Sequence, residues 1–255
     1  MEHKSTFDRV ATLYGSARPG YSQELVDDIG RFAALGEGDP VLEVGCGAGQ
    51  ATAGFVGLGI RLTALDPGAA LVAVAKQKLS DAPNVSFVVA PFETFDAAGA
   101  TFKLIFAAQS WHWIAREISF AKAADLLVPS GTLAVFGHVP GELAEPHASA
   151  FKRIYLEHTG AWGLPPESGY LPSGPFASWF EASGRFEPVV HRLYRWTWRH
   201  TAQSYVAFAR TRSDHQMMPP AKLESLLSAL ETAIAAEGGA FDWSYETHLY
   251  MARRK

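Results

Sequence analysis

The chain has 255 residues, 48% of them apolar and 19% charged, and its 22 basic and 26 acidic side chains leave a net charge of −4. That length and apolar content support a sizeable buried core and exclude a disordered or collagen-like chain. The acidic balance argues against nucleic acid as the main partner, and a single cysteine excludes a disulfide framework or a multi-cysteine metal site. No apolar run approaches the ~20 residues that cross a bilayer. The opening MEHKSTFDRV lacks the apolar stretch of a signal peptide, so a soluble, cytoplasmic protein is expected.

The predicted elements alternate. Val41 to Gly45 is an apolar strand ending in glycines, and Ala48 to Leu58 reads as a helix. Arg61 to Asp66 is a second strand, with Pro67 suited to the first turn of a helix over Ala69 to Leu79. Val85 to Ala90 and Phe102 to Ser110 are the third and fourth strands, and Glu117 to Val128 is a helix. A Pro-Ser-Gly turn then leads into a fifth strand ending at His138. Near-continuous apolar strands between helices predict an α/β fold with a parallel sheet covered on both faces.

The pattern changes after His138. Residues 139–184 are rich in Pro, Gly and aromatics, with a helix expected over Glu145 to Thr159. Two long β-like segments, Phe186 to Trp198 and Trp243 to Arg254, are separated by helical stretches over Thr201 to Thr211 and Ala221 to Glu237. This predicts an antiparallel pair carrying a helical insertion. The expected organisation is one domain, with a core of about 36–138 plus 186–198 and 241–255, and a cap from 1–35 and parts of 139–240. All seven tryptophans lie after residue 110, so the two halves are built for different tasks.

Chemistry is concentrated in Glu43-Val44-Gly45-Cys46-Gly47-Ala48-Gly49, where the first strand meets the first helix. Glycines serve tight turns with positive φ and let a ligand approach the backbone. Asp66 lies 21 positions after Gly45 at the end of the second strand, where an acid accepts hydrogen bonds from ribose hydroxyls. A nicotinamide-dinucleotide fingerprint would need glycine at position 50, which is Gln50.

The loop and the following Ala-Leu-Asp-Pro resemble motif I and the second-strand acid of class I S-adenosylmethionine-dependent methyltransferases. The resemblance implies a Rossmann-like, mostly parallel seven-stranded sheet whose last strand is antiparallel. It also implies S-adenosylmethionine as cofactor and S-adenosylhomocysteine as product. Glu43, Gly45, Cys46, Gly47, Gly49, Asp66 and Pro67 are then expected at the cofactor. Ala90-Pro91-Phe92-Glu93 resembles the segment reaching the adenine; Pro91 offers neither a side-chain acceptor nor an N–H, which leaves Phe92's backbone and apolar packing. FDRVATLYGSARPGY resembles the head of a subfamily that includes enzymes like trans-aconitate methyltransferase. It places Tyr14 and Arg18 in a lid, with Arg18 facing the cofactor carboxylate and Tyr21 near the substrate.

Gln109-Ser110-Trp111-His112-Trp113 follows the fourth strand, a position where ligands bind in open α/β sheets. Gln109 is expected at the cofactor and Trp111, His112 and Trp113 at the substrate, with His112 a candidate general base. Six arginines between 185 and 215, against only Glu187 and Asp214, raise the expectation that Arg195, Arg210 and Arg212, with His215, recognise an anionic substrate such as a carboxylate. Alternating charges on an exposed strand are the plainer explanation. No cluster with metal-ligand spacing stands out. The expected activity is methyl transfer to a small molecule. The competing readings are a nicotinamide-dependent oxidoreductase, disfavoured by Gln50 and Glu43, and a cofactor-binding protein without turnover. Methylation of nucleic acid is disfavoured by charge and by the absence of an Asn/Asp-Pro-Pro-Tyr motif. The oligomeric state is left open.

Overall fold

The computed structural model describes residues 10–163 and 166–255. The Phe7-Asp8 start of the expected head motif lies outside them.

Seven strands form one sheet in the order β3-β2-β1-β4-β5-β7-β6. They are β1 (Pro40–Val44), β2 (Arg61–Asp66), β3 (Val85–Val89), β4 (Phe102–Ala108), β5 (Leu127–Pro140), β6 (Val190–Thr201) and β7 (Ala240–Arg253). The pairs among β1 to β5 are parallel, and β7 runs antiparallel to both β5 and β6. The Rossmann-like architecture, with its antiparallel terminal pair, is the one expected. The Pro-Ser-Gly turn survives inside β5 as an irregularity: pairing with β4 jumps from Phe102↔Leu127 to Leu104↔Thr132, and Ser130 takes a positive φ of 60°.

Side chains alternate between the two faces of each strand, and each face has its own core. On one face Leu42, Val44, Ile105, Leu133 and Val135 pack with Phe120 of helix α5 (Arg116–Leu126) and Phe176 and Phe180 of α7 (Phe176–Ser183). On the other, Val41, Leu104, Phe106 and Phe136 meet Leu25, Val26 and Ile29 of α2 (Gln23–Ala33). Fully burying such a side chain stabilises by about 1.5–3 kcal/mol. Ser22 caps α2 by accepting from the Leu25 N–H at 3.3 Å, and Ala34 ends it in the left-handed region. Residues 23–33 are therefore a layer of the core, not part of the cap as expected.

The head helix α1 (Ala11–Ala17) packs instead on α4 (Ala69–Lys78) and on the cap. The cap gathers α6 (His147–Thr159) with α8 (Ala202–Arg210), the short α9 (Ser213–Gln216) and α10 (Pro220–Ala236) of the β6–β7 connection. Phe151, Tyr205, Phe208, Leu226 and Leu230 share a core of their own there. The expected helix over Ala48 to Leu58 is shorter: only Thr52–Phe55 (α3) is α-helical before a 3-10 turn at Val56–Leu58. Gly49 and Gly59 bracket it in positive φ, and glycine weakens helix interiors. Among the described residues no helix is long and apolar enough to cross a membrane.

Candidate functional site

The strand order reverses between β1 and β4, which opens a crevice above their carboxyl ends. Gly45, Gly47 and Gly49 occupy it with φ of 76°, 54° and 84°. The Gly45 and Cys46 N–H groups both donate to the Leu65 carbonyl, at 2.7 and 2.9 Å, which bends the loop toward β2. A Cβ at Gly45 would lie 2.3 Å from the Ser110 Cβ, while one at Gly49 would press on Leu79 of the neighbouring helix face. Asp66 accepts from the Gly47 N–H at 2.9 Å and the Gly68 N–H at 2.8 Å, two of the roughly four hydrogen bonds a carboxylate can take. It joins the loops after β1 and β2.

Glu43 is buried on β1. One oxygen accepts from Thr52 Oγ1 at 2.6 Å and the other has no protein partner. Burial, reinforced by the like charge of Asp66, pushes its pKa up to about 8. Burial also drives the Cys46 thiol upward, away from thiolate chemistry.

Two cavities with lining residues in common meet at this loop. The larger, about 210 Å³, is lined by Gly45, Gly47, Asp66 and Pro67 together with the apolar Leu71, Pro91, Phe92 and Ile114. The smaller, about 70 Å³, lies between the loop, the head and the β6–β7 hairpin, with Trp198, Phe208, Trp243 and Tyr245 as aromatic walls. Tyr14, Arg18, Gln109 and Glu167 line both.

A model of a methyltransferase domain matches residues 41–131. The chain is 24% identical over 136 residues to a probable S-adenosylmethionine-dependent methyltransferase of Saccharomyces cerevisiae, covering 52% of this chain and 46% of that protein. It is 27% identical over 206 residues to the erythromycin 3''-O-methyltransferase of Saccharopolyspora erythraea, covering 72% of this chain and 64% of that one. The chain thus spans about half the length of most of the curated relatives it matches. In fold it superposes on a candidate type II methyltransferase from Anaeromyxobacter dehalogenans with a TM-score of 0.65 at 22% identity, over 92% of this chain and 97% of the other. Residues 41–131 thus match a methyltransferase domain, and the sheet built around them has the Rossmann-like fold of the solved structure it superposes on.

The loop after β1 forms a cradle that suits S-adenosylmethionine, the cofactor named for the Saccharomyces cerevisiae relative. Glycines at the turn leave the backbone open, Asp66 points a carboxylate into the large cavity, and Glu43 holds an orphaned oxygen beside the smaller one. Arg18 spends its Nε and one terminal nitrogen on Thr211, at 2.8 and 3.0 Å, and its guanidinium packs on the Tyr14 and Phe208 rings. The head is thereby latched to the cap.

The segment after β4 divides. A 3-10 turn at Trp111–Trp113 points successive side chains about 120° apart. Trp111 goes into the core against Phe92 and Phe120 and lines neither cavity, contrary to the expectation of a substrate contact. His112 and Trp113 line the larger cavity. His112 is exposed as a residue, while the protein packed around it lowers its pKa to about 4 by desolvation. Its Nδ1 lies 3.2 Å from the Tyr170 hydroxyl. Gln109 takes a positive φ of 52°, and its side-chain oxygen accepts from the His138 N–H.

The arginine cluster is revised more heavily. Each of the six has an acid: Arg185–Asp125, Arg192–Asp28, Arg195–Glu246, Arg199–Asp242, Arg210–Glu224 and Arg212–Asp214. Arg195 and Arg199 face Glu246 and Asp242 directly across the hairpin register, outside both cavities. Arg210 likewise lies outside them, and His215 is buried with its Nδ1 on the Ala209 carbonyl. Of the expected anion-binding residues only Arg212 reaches a cavity wall.

Tyr21, expected near the substrate, lines the smaller cavity while stacking on His138 at 4.3 Å, and residues with no sequence signature support it there. Trp196 Nε1 donates to Thr247 Oγ1 at 3.0 Å, and that hydroxyl lies 2.7 Å from His138 Nδ1. The Gly20 carbonyl only accepts, so the neutral His138 donates Nε2–H to it at 3.0 Å, and Thr247 Oγ1, accepting from Trp196, donates its proton to Nδ1. Burial keeps this imidazole neutral, with its pKa near 4.

Proposed function

We propose that the chain is one methyltransferase unit that binds S-adenosylmethionine in the larger cavity and methylates a small molecule held in the smaller one. The observation that carries this reading is the junction of the two cavities at Gly45, Gly47 and Gln109, with a backbone cradle on one side and aromatic walls on the other. Bound there, the cofactor supplies a methyl group on an already activated sulfonium.

The chain's own residues then have separable tasks. Asp66 receives the ribose hydroxyls, the Gly45–Gly47 backbone admits the methionine portion, and Arg18 and Glu43 take its carboxylate and ammonium. Leu71, Pro91, Phe92 and Ile114 enclose the adenine. Trp113 and the cap aromatics exclude water. Alignment of this kind contributes about 7–11 kcal/mol toward a displacement. A neutral His112 whose Nδ1 accepts a hydrogen bond from the Tyr170 hydroxyl presents an Nε2–H donor to the cavity, a positioning role in place of a base. A net charge of −4 and an acceptor cavity of only about 70 Å³ favour a small molecule over a polyanion.

Calorimetric titration with S-adenosylhomocysteine and with NADH tests the reading. S-adenosylhomocysteine should bind and NADH should not. Because Glu43 is largely protonated at pH 7 when alone, pairing with the ligand ammonium should release close to one proton, read from the buffer dependence of the binding heat. NADH binding in preference would overturn the reading.

A further inference from the structure

We propose that the smaller cavity selects flat, apolar acceptors that present an O–H or N–H donor, that Glu167 receives that donor, and that carboxylate acceptors are disfavoured. This rests on the methyltransferase reading and deepens it.

Charge is the first argument. The Arg212 guanidinium meets Asp214 through Nε and a terminal nitrogen, at 3.2 and 3.1 Å, and reaches Glu167 at 3.4 Å. Its side chain is only 13% exposed, so this is a desolvated and already neutralised cation. Arg195 and Arg210 lie elsewhere, His138 is neutral, and Arg18 is assigned to the cofactor carboxylate. Among the described residues no cation at the smaller cavity is left for an anionic acceptor, whereas Glu167 would repel one.

Unpaired polar atoms are the second argument. Glu167 Oε2 and Tyr245 Oη are both buried without a protein partner, and both residues line the smaller cavity. Buried polar atoms normally find partners, and an orphan costs about 1–3 kcal/mol. A carboxylate oxygen only accepts, so the missing partner is a donor. Tyr245 Oη can then accept from or donate to the same group.

Wall shape is the third. Trp198 and Trp243 are direct cross-strand partners, and Tyr245 lies within 5.5 Å of Trp243 and 6.1 Å of Trp198 between ring centroids. The Trp243 Nε1–H is spent on the Gly141 carbonyl at 2.8 Å, so that residue offers the cavity only its ring. Such walls suit a planar body, and the cavity's size limits it to a small one.

Glu167 also controls the sign of the selectivity. Replacing it with Gln removes the acceptor charge and frees Arg212 from one of its two acids in the same step.

The test is calorimetric titration of the protein saturated with S-adenosylhomocysteine, using phenol, benzylamine and benzoate as probes, on the wild type and on Glu167→Gln and Tyr245→Phe. In the wild type, neutral phenol and cationic benzylamine should each bind at least tenfold more tightly than benzoate. Glu167→Gln should weaken both donors about tenfold and strengthen benzoate. Tyr245→Phe should weaken the donors about threefold. Equal or tighter benzoate binding in the wild type, binding of none of the three, or an unchanged ranking in Glu167→Gln overturns the proposal. The wild-type ranking decides even if the variants fail to fold. Failure of S-adenosylhomocysteine itself to bind would instead strike the methyltransferase reading.

Discussion

The two cavities share a wall but are made of different material. The larger is built from main chain: three glycines in the left-handed region, N–H groups fixed on Leu65 and Asp66, and small residues that let a ligand touch the backbone. The smaller is built from side chains: Trp198, Trp243, Tyr245, Phe208 and the paired charges of Glu167 and Arg212. A backbone site tolerates almost no change in the residue that shapes it. A side-chain site changes its preference with each substitution and keeps its frame. The tryptophan-free first 110 residues and the tryptophan-rich remainder are the sequence image of that division.

The contrast breaks most sharply at Gly45. Gly45→Ala should abolish S-adenosylhomocysteine binding, a loss above 100-fold by calorimetry, because the new Cβ collides with Ser110 and the residue has positive φ. Asp66→Asn should lower that affinity about tenfold or more, since hydrogen bonds to charged groups contribute about 1.5–3 kcal/mol. Trp243→Phe should leave S-adenosylhomocysteine affinity within twofold and weaken aromatic probes in the smaller cavity about fivefold. Arg195→Ala and Arg210→Ala should change neither affinity, and melting should report less than about 1 kcal/mol for each, as exposed ion pairs do.

Stability against pH reports on the same division. Glu43 has a raised pKa in the fold, so its contribution is full below pH 4.5 and is lost as pH rises through about 8. Glu43→Gln should flatten that alkaline limb of the melting curve, by up to about 4–5 kcal/mol for a shift of this size. His138 and His200 are buried and depressed to about 4, so their contribution is present above pH 6.5 and lost as pH falls through 4. His200 has no hydrogen-bond partner on either ring nitrogen and stacks on Phe241 at 5.3 Å. His200→Phe should therefore raise the melting temperature at pH 5 more than at pH 7.

The strands β1 to β5 were legible because parallel strands buried on both faces read as apolar runs. The cradle was legible because positive φ leaves glycines at fixed spacing, with Asp66 one strand later. The smaller cavity was not. Trp198 and Trp243 alternate along their strands like any sheet residue, and the choice of face depends on where the head and the insertion cross the hairpin. Glu167 sits in a Pro- and Gly-rich stretch without periodicity, and its meeting with Arg212 spans 45 positions. The arginine count misled because charge along the chain does not reveal partners contributed from elsewhere, such as Glu246 and Glu224. Trp111 misled because a 3-10 turn separates neighbours that the sequence places together.

The connection between β6 and β7 has a further consequence. Thr201 and Ala240 are paired partners in the hairpin register, so residues 202–239 leave the sheet and return at the same rung. Such an excursion can be exchanged as a cassette: its ends already meet, and a short turn would close the ladder in its place. The sheet and the glycine cradle would keep their foundations, while Phe208 and Arg212 would depart with the exchanged piece. The exchange would thus remove the Thr211 and Phe208 latch on Arg18 and one partner of Glu167, while Trp198, Trp243 and Tyr245 stay with the sheet.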